Sequence, residues 1–574
     1  MMKKLLLVSV SFFSSIQFAN AGIVVFSGGG SPQGNHYSQY LQTKSLTDGL
    51  RERFGWDSVS VAFGVGNQVN SNPLLADVVR QSTMKYGGED YTIQEFIVGS
   101  IEGNHQANRT QIQNILNHQA KADEPLFVLI SDHGNPNREE KDPGFNNNCI
   151  TLWGRDPVTL KRRKESEICY SRERFETDLS SLPSKRIVYG MTQCFSGGFH
   201  RMSVKRTPEG VVSANPNLCG FAASTPDLTA SGCTDKVDGP GYAGYERFFT
   251  SQILGKDFIS HEKTGFGEAG NLREAHLRAK MQDFVGDIPN ATSDYYLLEL
   301  MESLNQTKSN KNFNPRLGER KLHRRIAFFA NLEKGEDYFK MHPTGKDTAL
   351  YHGMVEEIRQ WVKAAKGSGL PDADVLLVKD IDALKKERHQ IERERVQAET
   401  EMEAASDKID SIEEGLFKNP ELSSKVSDPL IEELGLGPIH SVTKDELVDL
   451  APLIATKDQE AGRFVGLYKK LRRFKTWDYL ETHSKELSKE LSDHSSEVNA
   501  LYATYSDIAA RYAKSNLRFR LVRSLLRMRN ELGILGAAIQ TDSHQVVETY
   551  RALLSCESTP LDQIQGANQL SAGI

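Results

Sequence analysis

Residues 186–200 read RIVYGMTQCFSGGFH, and this stretch indicates the fold class. The run from Ile187 to Met191 is short, apolar and rich in β-branched and aromatic residues, which is typical of a buried strand. Cys194 follows this run, and Gly197 and Gly198 then allow a sharp turn into the next element. A buried strand therefore leads directly into a reactive side chain.

Similar apolar runs alternate with helical patterns from Gly22 to about Asp287. Helix-like spacing covers Tyr40 to Phe54 and Ile112 to Ala120. This alternation predicts an α/β fold with a mainly parallel sheet that is covered by helices. The predicted strands are Ile23 to Phe26, Val59 to Phe63, Leu126 to Ser131 and Ile187 to Met191.

A second strand also leads into reactive residues. Residues 126–137 read LFVLISDHGNPN, which places Asp132, His133 and Gly134 directly after the strand. The C-terminal ends of parallel strands share one edge of a sheet, and clefts form at that edge. We therefore expect His133 and Cys194 to meet, although they are far apart in the sequence.

His133 and Cys194 form a pair that is suited to nucleophilic catalysis. A free thiol is only slightly ionised at neutral pH, and a nearby imidazole can take its proton or protonate a leaving amine. The backbone N–H groups of Gly134 and Cys194 would bind a developing oxyanion. The candidate catalytic residues are therefore Cys194, His133 and Gly134.

Each of these residues also has an ordinary structural interpretation. A single cysteine at a strand end is most often a small buried apolar residue, and a single histidine is most often a hydrogen-bonded structural residue. The occurrence of the two motifs together favours catalysis. Asp132 is expected to orient its loop through backbone hydrogen bonds rather than to act as a third catalytic residue.

At these motifs the sequence resembles the caspase-like (clan CD) cysteine peptidases, and most closely the legumain family. Asp132-His133-Gly134 matches the family's histidine motif, and Cys194-Phe195-Ser196-Gly197 matches its nucleophile motif from the cysteine onward. The resemblance covers about residues 22–250. It implies a three-layer α/β sandwich and a Cys-His mechanism without a metal.

The resemblance also suggests where substrate binds. Residues 220–233, GFAASTPDLTASGC, resemble the family's pocket-lining segment, and Asn35-His36 resemble part of its opening segment. Thr192 stands where the family has a pocket acid, so the family's preference for cleavage after Asn is not carried over. Asp227 or Asp235 would favour a basic or amide side chain if either lay in the pocket, but both also suit solvated turns. The candidate substrate-binding residues are Asn35, His36, Thr192, Ser224, Thr229 and Asp235.

The length of 574 residues predicts more than one domain. We assign residues 1–21 to a signal peptide, 22–340 to the peptidase domain and 341–574 to a helical C-terminal region. The formal net charge of −6 does not favour a nucleic-acid partner. The expected partner is a peptide or protein substrate.

The first 21 residues have the pattern of a secretory signal peptide. Lys3 and Lys4 precede an apolar stretch, and Ala19-Asn20-Ala21 forms a small-residue cleavage site. The protein is therefore expected to be exported to the periplasm or the extracellular medium, with no membrane attachment after cleavage. The alternative is a single-span anchor, but the apolar stretch is short for a bilayer.

Export permits disulfides among the six cysteines. The best candidates for local pairing are Cys149 with Cys169 and Cys219 with Cys233, although connectivity does not follow from sequence. No Cys or His pair has zinc-site spacing, so we expect neither a metal nor another cofactor.

The C-terminal region contains two heptad patterns, at about 374–417 and 480–535. The first places mostly apolar residues from Leu377 to Leu416 at alternating steps of four and three, with Arg388 and Arg395 in the seam. With the connection Pro420 to Pro452, the two patterns predict a coiled-coil hairpin or, equally, two helices of an ordinary bundle.

The leading functional prediction is an exported cysteine endopeptidase, with transpeptidase activity not distinguished by any residue. The resemblance adds that the helical region would keep the enzyme latent. The alternative is a catalytically silent caspase-like scaffold that acts through its hairpin. The heptads would then bind a helical partner or a second copy of the chain.

Overall fold

The fold is described from a computed structural model of the chain. The described residues are 22–31, 34–67, 78–86, 89–137, 145–156, 162–234, 237, 242–284, 286–306, 319–343, 345–367, 373–417 and 484–561. The predicted signal peptide, the connection from Pro420 to Pro452 and Asp235 lie outside them.

Fourteen strands are present in the described residues, and most are short. They are β1 (Gly22–Ser27), β2 (Val59–Phe63), β3 (Val78–Tyr86), β4 (Glu89–Ile97), β5 (Asn104–His105), β6 (Pro125–Ile130), β7 (Gly134–Asn135), β8 (Cys149–Thr151), β9 (Cys169–Ser171), β10 (Arg186–Met191), β11 (Val204–Arg206), β12 (Val212–Ala214), β13 (Leu218–Ala222) and β14 (Asn290–Ala291).

Fourteen α-helices accompany them in the same part of the chain. They are α1 (Tyr37–Phe54), α2 (Arg109–Gln119), α3 (Glu165–Ile168), α4 (Arg172–Ser180), α5 (Tyr245–Leu254), α6 (Leu272–Lys280), α7 (Thr292–Gln306), α8 (Glu319–Phe329), α9 (Leu332–Met341), α10 (Lys346–Gly367), α11 (Ala373–Val378), α12 (Ile381–Phe417), α13 (Ser484–Gln540) and α14 (His544–Glu557). Short 3₁₀ helices cover Trp56–Ser58 and Ser196–Met202.

A seven-stranded sheet forms the centre of the molecule, in the order β14-β13-β10-β6-β1-β2-β5. All its neighbouring strands pair in parallel except β13 and β14. The four predicted strands are therefore confirmed as β1, β2, β6 and β10. The α/β class and the mainly parallel sheet are confirmed with them.

Both faces of the sheet are buried, which explains why its strands read as continuous apolar runs. Ile23 and Val25 of β1 face a core that includes α1, α5, α6 and α7. Val24 and Phe26 of the same strand face a second core formed with α2 and α4. Alternate side chains thus fill two separate layers, as a strand's period of two requires.

The C-terminal helices share the first of these cores. Apolar residues of α13 between Leu521 and Ile539 pack in the same cluster as β1, α7, α8 and α10. Gly533 permits this packing, because a Cβ at that position would lie 2.5 Å from the carbonyl oxygen of Ile326. The C-terminal region is helical, as predicted.

The long helices α12 and α13 pack in opposite directions. Arg511 of α13 pairs with Glu401 at 2.9 Å, and Arg518 pairs with Glu387 at 3.0 Å. Residue numbers therefore increase along α13 while those of its partners in α12 decrease. The buried residues of α12 between Ile381 and Ala405 include Leu384, Ile391 and Ala398, which occupy the predicted heptad positions.

The first heptad helix is not continuous, which corrects the sequence prediction. Helix α11 ends at Val378, and Asp380 begins α12 by accepting a hydrogen bond from the Ala383 N–H at 2.7 Å. Arg529 of α13 donates to the carbonyl oxygens of Leu377 and Lys379. A side chain from a distant helix thus satisfies carbonyl oxygens at the interruption, and heptad spacing does not reveal that contact.

Two disulfides are present, and one differs from the predicted pairing. Cys149 and Cys169 are joined across the antiparallel strands β8 and β9, as predicted. Cys219 of β13 is joined to Cys556 of α14 rather than to Cys233. Cys219 lies on the sheet face that α14 covers, so the distant Cys556 is its neighbour.

Among the described residues, no helix is long and apolar enough to cross a membrane.

Candidate active site

The topology brings the predicted His and Cys motifs to one edge of the sheet. Strands β6 and β10 are adjacent and parallel, with Ile130 opposite Met191. The pairing continues one step further, since the Thr192 N–H donates to the carbonyl oxygen of Ile130 at 3.0 Å. The segments that follow these two neighbouring strands therefore lie side by side, and they contain Asp132-His133-Gly134 and Cys194.

Gly134 lies directly against the backbone of Cys194. A Cβ at Gly134 would stand 1.9 Å from the carbonyl oxygen of Cys194, so no larger residue fits without moving that backbone. Gly134 also pairs with Ile150, while the Thr151 N–H donates to the carbonyl oxygen of His133 at 3.0 Å. In an antiparallel pair, residues whose backbone groups bond the partner strand alternate with residues whose backbone groups point away from it. His133 bonds β8 through its carbonyl oxygen, so the next residue, Gly134, is of the second kind. The Gly134 N–H thus points away from β8.

Asp132 holds the loop that carries His133. Its φ of 117° is unusual for a residue with a side chain and marks local backbone strain. Its carboxylate accepts hydrogen bonds from the His133 N–H at 2.6 Å and from the Ser27 hydroxyl at 2.9 Å, and it also bonds the Gly29 backbone. Burial raises the pKa of Asp132 to about 6, against the opposing effect of His133 and these hydrogen bonds. Asp132 thus orients the loop through backbone bonds, as predicted.

The His133 ring is fixed by a backbone carbonyl. Its Nε2 lies 2.5 Å from the oxygen of Gly34. Because a carbonyl oxygen only accepts, Nε2 carries a proton, and Nδ1 of the neutral ring remains as the base. The ring packs edge-on against His36, with centroids 5.2 Å apart. Asn35 is fully buried under Gly29, and its carbonyl oxygen accepts from the Val79 N–H.

The Cys194 thiol faces the segment around Ala230. Its Sγ accepts from the Ala230 N–H at 3.2 Å and donates to the Ala230 carbonyl oxygen at 3.6 Å. A hydrogen bond with Cys233, followed by burial, raises the pKa of the Cys194 thiol, although His133 acts in the opposite direction. These surroundings favour the protonated form of the Cys194 thiol.

The turn after Cys194 is supported by close packing. Phe195 adopts a left-handed conformation with φ of 58°, which redirects the chain into the 3₁₀ helix. Asn148 donates to the carbonyl oxygens of Phe195 and Pro226, each at 3.0 Å. Asn148 directly precedes Cys149, so the Cys149–Cys169 disulfide lies next to the residue that bonds the turn after Cys194, which we term the nucleophile turn.

The predicted substrate-binding residues occupy different environments. His36 lies beside His133, as described above. Thr192 is buried and bonds Gln42 and the Ile130 carbonyl oxygen, and buried Ser224 bonds the carbonyl oxygen of Leu228. Thr229 is exposed. Asp235 lies outside the described residues.

Asp227 is held by a distant helix rather than by the site. Its two oxygens each accept from Arg523 of α13 at 2.9 Å. Burial alone would raise the pKa of this carboxyl, but Arg523 and Thr225 lower it below its ordinary value. Arg520 of the same helix donates to the carbonyl oxygens of Thr229 and Gly286. Helix α13 therefore fixes the segment that leads to Ala230.

Two further residues near the site were not identified from the sequence. Buried Glu246 of α5 accepts from Tyr242 at 3.1 Å, and a Cβ at Gly232 would lie 2.7 Å from its Oε2. Burial, together with Asp132 and Asp287, raises the pKa of Glu246 to about 8. Gln39 of α1 donates to Cys233 Sγ at 3.3 Å. Neither residue stands in a motif, so only the fold reveals its position.

Two surface depressions lie away from the Cys194 thiol, one beside α4 and the other beside α1. No group of three or more His, Cys, Asp or Glu residues that could hold a metal ion occurs among the described residues.

No family model matches the chain, and no curated protein matches its sequence.

Proposed function

We propose that the protein is an exported cysteine endopeptidase of the caspase-like type, similar to legumain, in which Cys194 and His133 form the catalytic dyad. One observation carries the proposal. Two motifs that the sequence predicts to be catalytic leave adjacent parallel strands at the same sheet edge, and Gly134 of one motif touches the backbone of Cys194 in the other. The proposed localisation is the periplasm or the extracellular medium.

The reaction would proceed through an acyl-enzyme. Nδ1 of His133 takes the thiol proton, and the Cys194 sulfur attacks the substrate's carbonyl carbon. The N–H groups of Gly134 and Cys194 hold the oxyanion, an effect worth roughly 2.7 to 4 kcal/mol per donor in measured cases. His133 then protonates the leaving amine, and water or a second amine releases the acyl group.

The described conformation corresponds to a latent enzyme under this proposal. An attacked carbonyl carbon must come within about 3 to 3.5 Å of the sulfur. The Ala230 nitrogen already lies 3.2 Å from Cys194 Sγ, so the chain's own segment occupies the space that substrate needs. Residues 227–233, which we term the covering segment, must therefore move before substrate binds.

Helix α13 keeps the covering segment in place. Arg523 binds Asp227 through both carboxylate oxygens, and Arg520 holds the carbonyl oxygen of Thr229. The helical region would thus maintain latency by fixing a loop of the peptidase domain. Because Cys556 is bonded to Cys219, cleavage between α12 and α13 would not by itself release the C-terminal helices.

A catalytically silent scaffold is the second candidate. The antiparallel packing of α12 on α13 favours a coiled-coil hairpin, and the exposed Val375, Val378 and Val396 would contact a helical partner or a second copy. The covered thiol is compatible with this role. Cys194-dependent reaction with a peptidyl electrophile distinguishes the two candidates, because a silent scaffold has no reason to activate that thiol.

The test uses mature protein and peptidyl acyloxymethyl ketones, which alkylate the nucleophile of cysteine peptidases. A library that varies the residue before the reactive group reports activity and preference together. Labelling that disappears in Cys194→Ala supports the peptidase. Equal labelling of Cys194→Ala would refute it.

A further inference from the structure

Two free cysteines occur in the described chain, one at the proposed nucleophile and one at the end of the covering segment. Cys194 Sγ contacts Ala230 of that segment, and Cys233 is the first cause of the raised pKa of the Cys194 thiol. Both side chains are partly exposed. The four other cysteines form two disulfides whose members are buried.

The surroundings hold the two thiols in this arrangement. Cys194 Sγ is fixed by the N–H and the carbonyl oxygen of Ala230, three residues before Cys233. The Ser231 N–H donates to Asp287 at 2.6 Å, and Asp287 also accepts from the Tyr245 N–H. Gln39 donates to Cys233 Sγ. Each sulfur is thus positioned by a different element.

We propose that Cys233 is a resolving cysteine that forms a disulfide with Cys194 on exposure to low-molecular-weight disulfides, and so locks the covering segment over the site. The expected loss of activity on oxidation rests on the proposed function. The disulfide itself is independent of catalysis. It requires only that the two sulfurs approach bonding distance.

The chemistry is a double thiol–disulfide exchange. The Cys233 thiolate, whose sulfur lies beside the side-chain amide of Gln39, attacks one sulfur of an oxidant RSSR and expels RS⁻. The Cys194 thiolate then attacks the Cys233 sulfur of the mixed disulfide and expels a second RS⁻. The two thiol protons pass to the expelled groups, so one RSSR becomes two RSH while the two cysteines are oxidised.

A disulfide at Cys194 would abolish the proposed peptidase activity, because it changes the reactivity of the Cys194 sulfur. Only the thiolate of Cys194 attacks a carbonyl, and a disulfide sulfur does not. The bond would also tie the covering segment covalently to the nucleophile turn. An exported enzyme in an oxidising medium would therefore remain inactive until a reductant opened this pair. The buried disulfides at Cys149 and Cys219 would survive that mild reduction.

The experiment equilibrates mature protein with glutathione buffers of increasing oxidised fraction. Remaining thiols are blocked with N-ethylmaleimide, and the peptides are mapped by mass spectrometry. Labelling by the acyloxymethyl ketone is measured on parallel samples. The Cys149–Cys169 and Cys219–Cys556 peptides serve as internal controls for native structure.

We expect a Cys194–Cys233 linked peptide that grows with the oxidised fraction, and labelling that falls in proportion and returns on reduction. Cys233→Ser should never give the linked peptide. Mixed glutathione disulfides without the internal bond would overturn the inference while leaving the function intact. A linked peptide in a protein whose reduced form never labels would support the disulfide and refute the peptidase.

Discussion

The sulfur of Cys194 lies 3.2 Å from the backbone nitrogen of Ala230 and also bonds the Ala230 carbonyl oxygen. A backbone segment of the chain itself thus occupies the position at which a nucleophilic thiol would meet a substrate. The same segment is held by Arg520 and Arg523 of α13, which lie 291 and 296 residues after Thr229 and Asp227, their partners in the segment. Under the proposed function, these contacts would link latency to catalysis, and single substitutions can test each of them.

Replacement of His133 by alanine should reduce kcat/KM for peptide cleavage by about 10²- to 10⁴-fold, because the thiol loses its proton acceptor. Folding should be retained, since the ring is only partly buried and contacts Gly34 and His36. Circular dichroism provides the control. A His133→Ala protein that cleaves at the normal rate would remove His133 from the mechanism.

Gly134→Ala should lower the rate of Cys194 labelling by about 100-fold, because a Cβ 1.9 Å from the Cys194 carbonyl oxygen must displace the nucleophile turn. Gly265→Ala is the matched control, since a Cβ there meets no atom within 4 Å. Unchanged labelling of Gly134→Ala would show that the close approach is not needed for reactivity.

Arg520→Ala should increase the rate of Cys194 labelling by about 10-fold or more, since hydrogen bonds from a charged donor are worth roughly 1.5 to 3 kcal/mol. Arg523→Ala should increase it less, by about 2- to 5-fold, because a partly exposed ion pair is worth roughly 0.2 to 1 kcal/mol. The same rank order should hold for peptide cleavage.

Arg511→Ala is the control for these variants, because Arg511 lies on the same helix but pairs with Glu401 of α12. The exchanged pair Arg523→Asp with Asp227→Arg should restore slow labelling. If both single variants label more slowly than the wild type, α13 supports an active site rather than a latent one.

The buried carboxyl of Glu246 should make the free energy of unfolding fall as pH rises from about 4.5 to 8. Burial raises the folded-state pKa of Glu246 to about 8, so its stabilising effect is complete below the unfolded value near 4.5 and is lost through the folded value. Asp132, Glu531 and Glu557 are raised to about 6, 8 and 7 and act in the same direction. Each pKa unit corresponds to about 1.4 kcal/mol.

Glu246→Gln isolates the contribution of one of these carboxyls, because glutamine keeps the shape but does not ionise. Thermal unfolding between pH 5 and 8 should depend less on pH in this variant than in the wild type. An identical pH dependence in the two proteins would show that Glu246 does not titrate in this range.

The sequence contained enough information to predict the strands of the sheet and to place the His133 and Cys194 motifs at one edge of it. Strands buried on both faces form continuous apolar runs, and the rule that parallel strands end at one edge then brings the two motifs together. Apolar runs and the residues that follow them are local features of the sequence, so they can be recognised without any knowledge of tertiary contacts. The role of Asp132 was also predictable, because it depends on bonds to its neighbours.

The remaining features depend on contacts between distant parts of the chain. Cys219 pairs with Cys556 at a sequence separation of 337, and no local pattern distinguishes that partner from the nearby Cys233. At the interruption between α11 and α12, Arg529 of α13 donates hydrogen bonds to two backbone carbonyl oxygens. Glu246 stands in an ordinary amphipathic helix, and only the packing of α5 brings it near the site.

The most direct test of the central claim is acyloxymethyl ketone labelling of mature wild-type protein, the Arg520→Ala variant and their Cys194→Ala counterparts. We expect slow labelling of the wild type, faster labelling of Arg520→Ala and none in either Cys194→Ala protein. Absence of Cys194-dependent labelling in both the wild type and Arg520→Ala would contradict the assignment of Cys194 as a peptidase nucleophile.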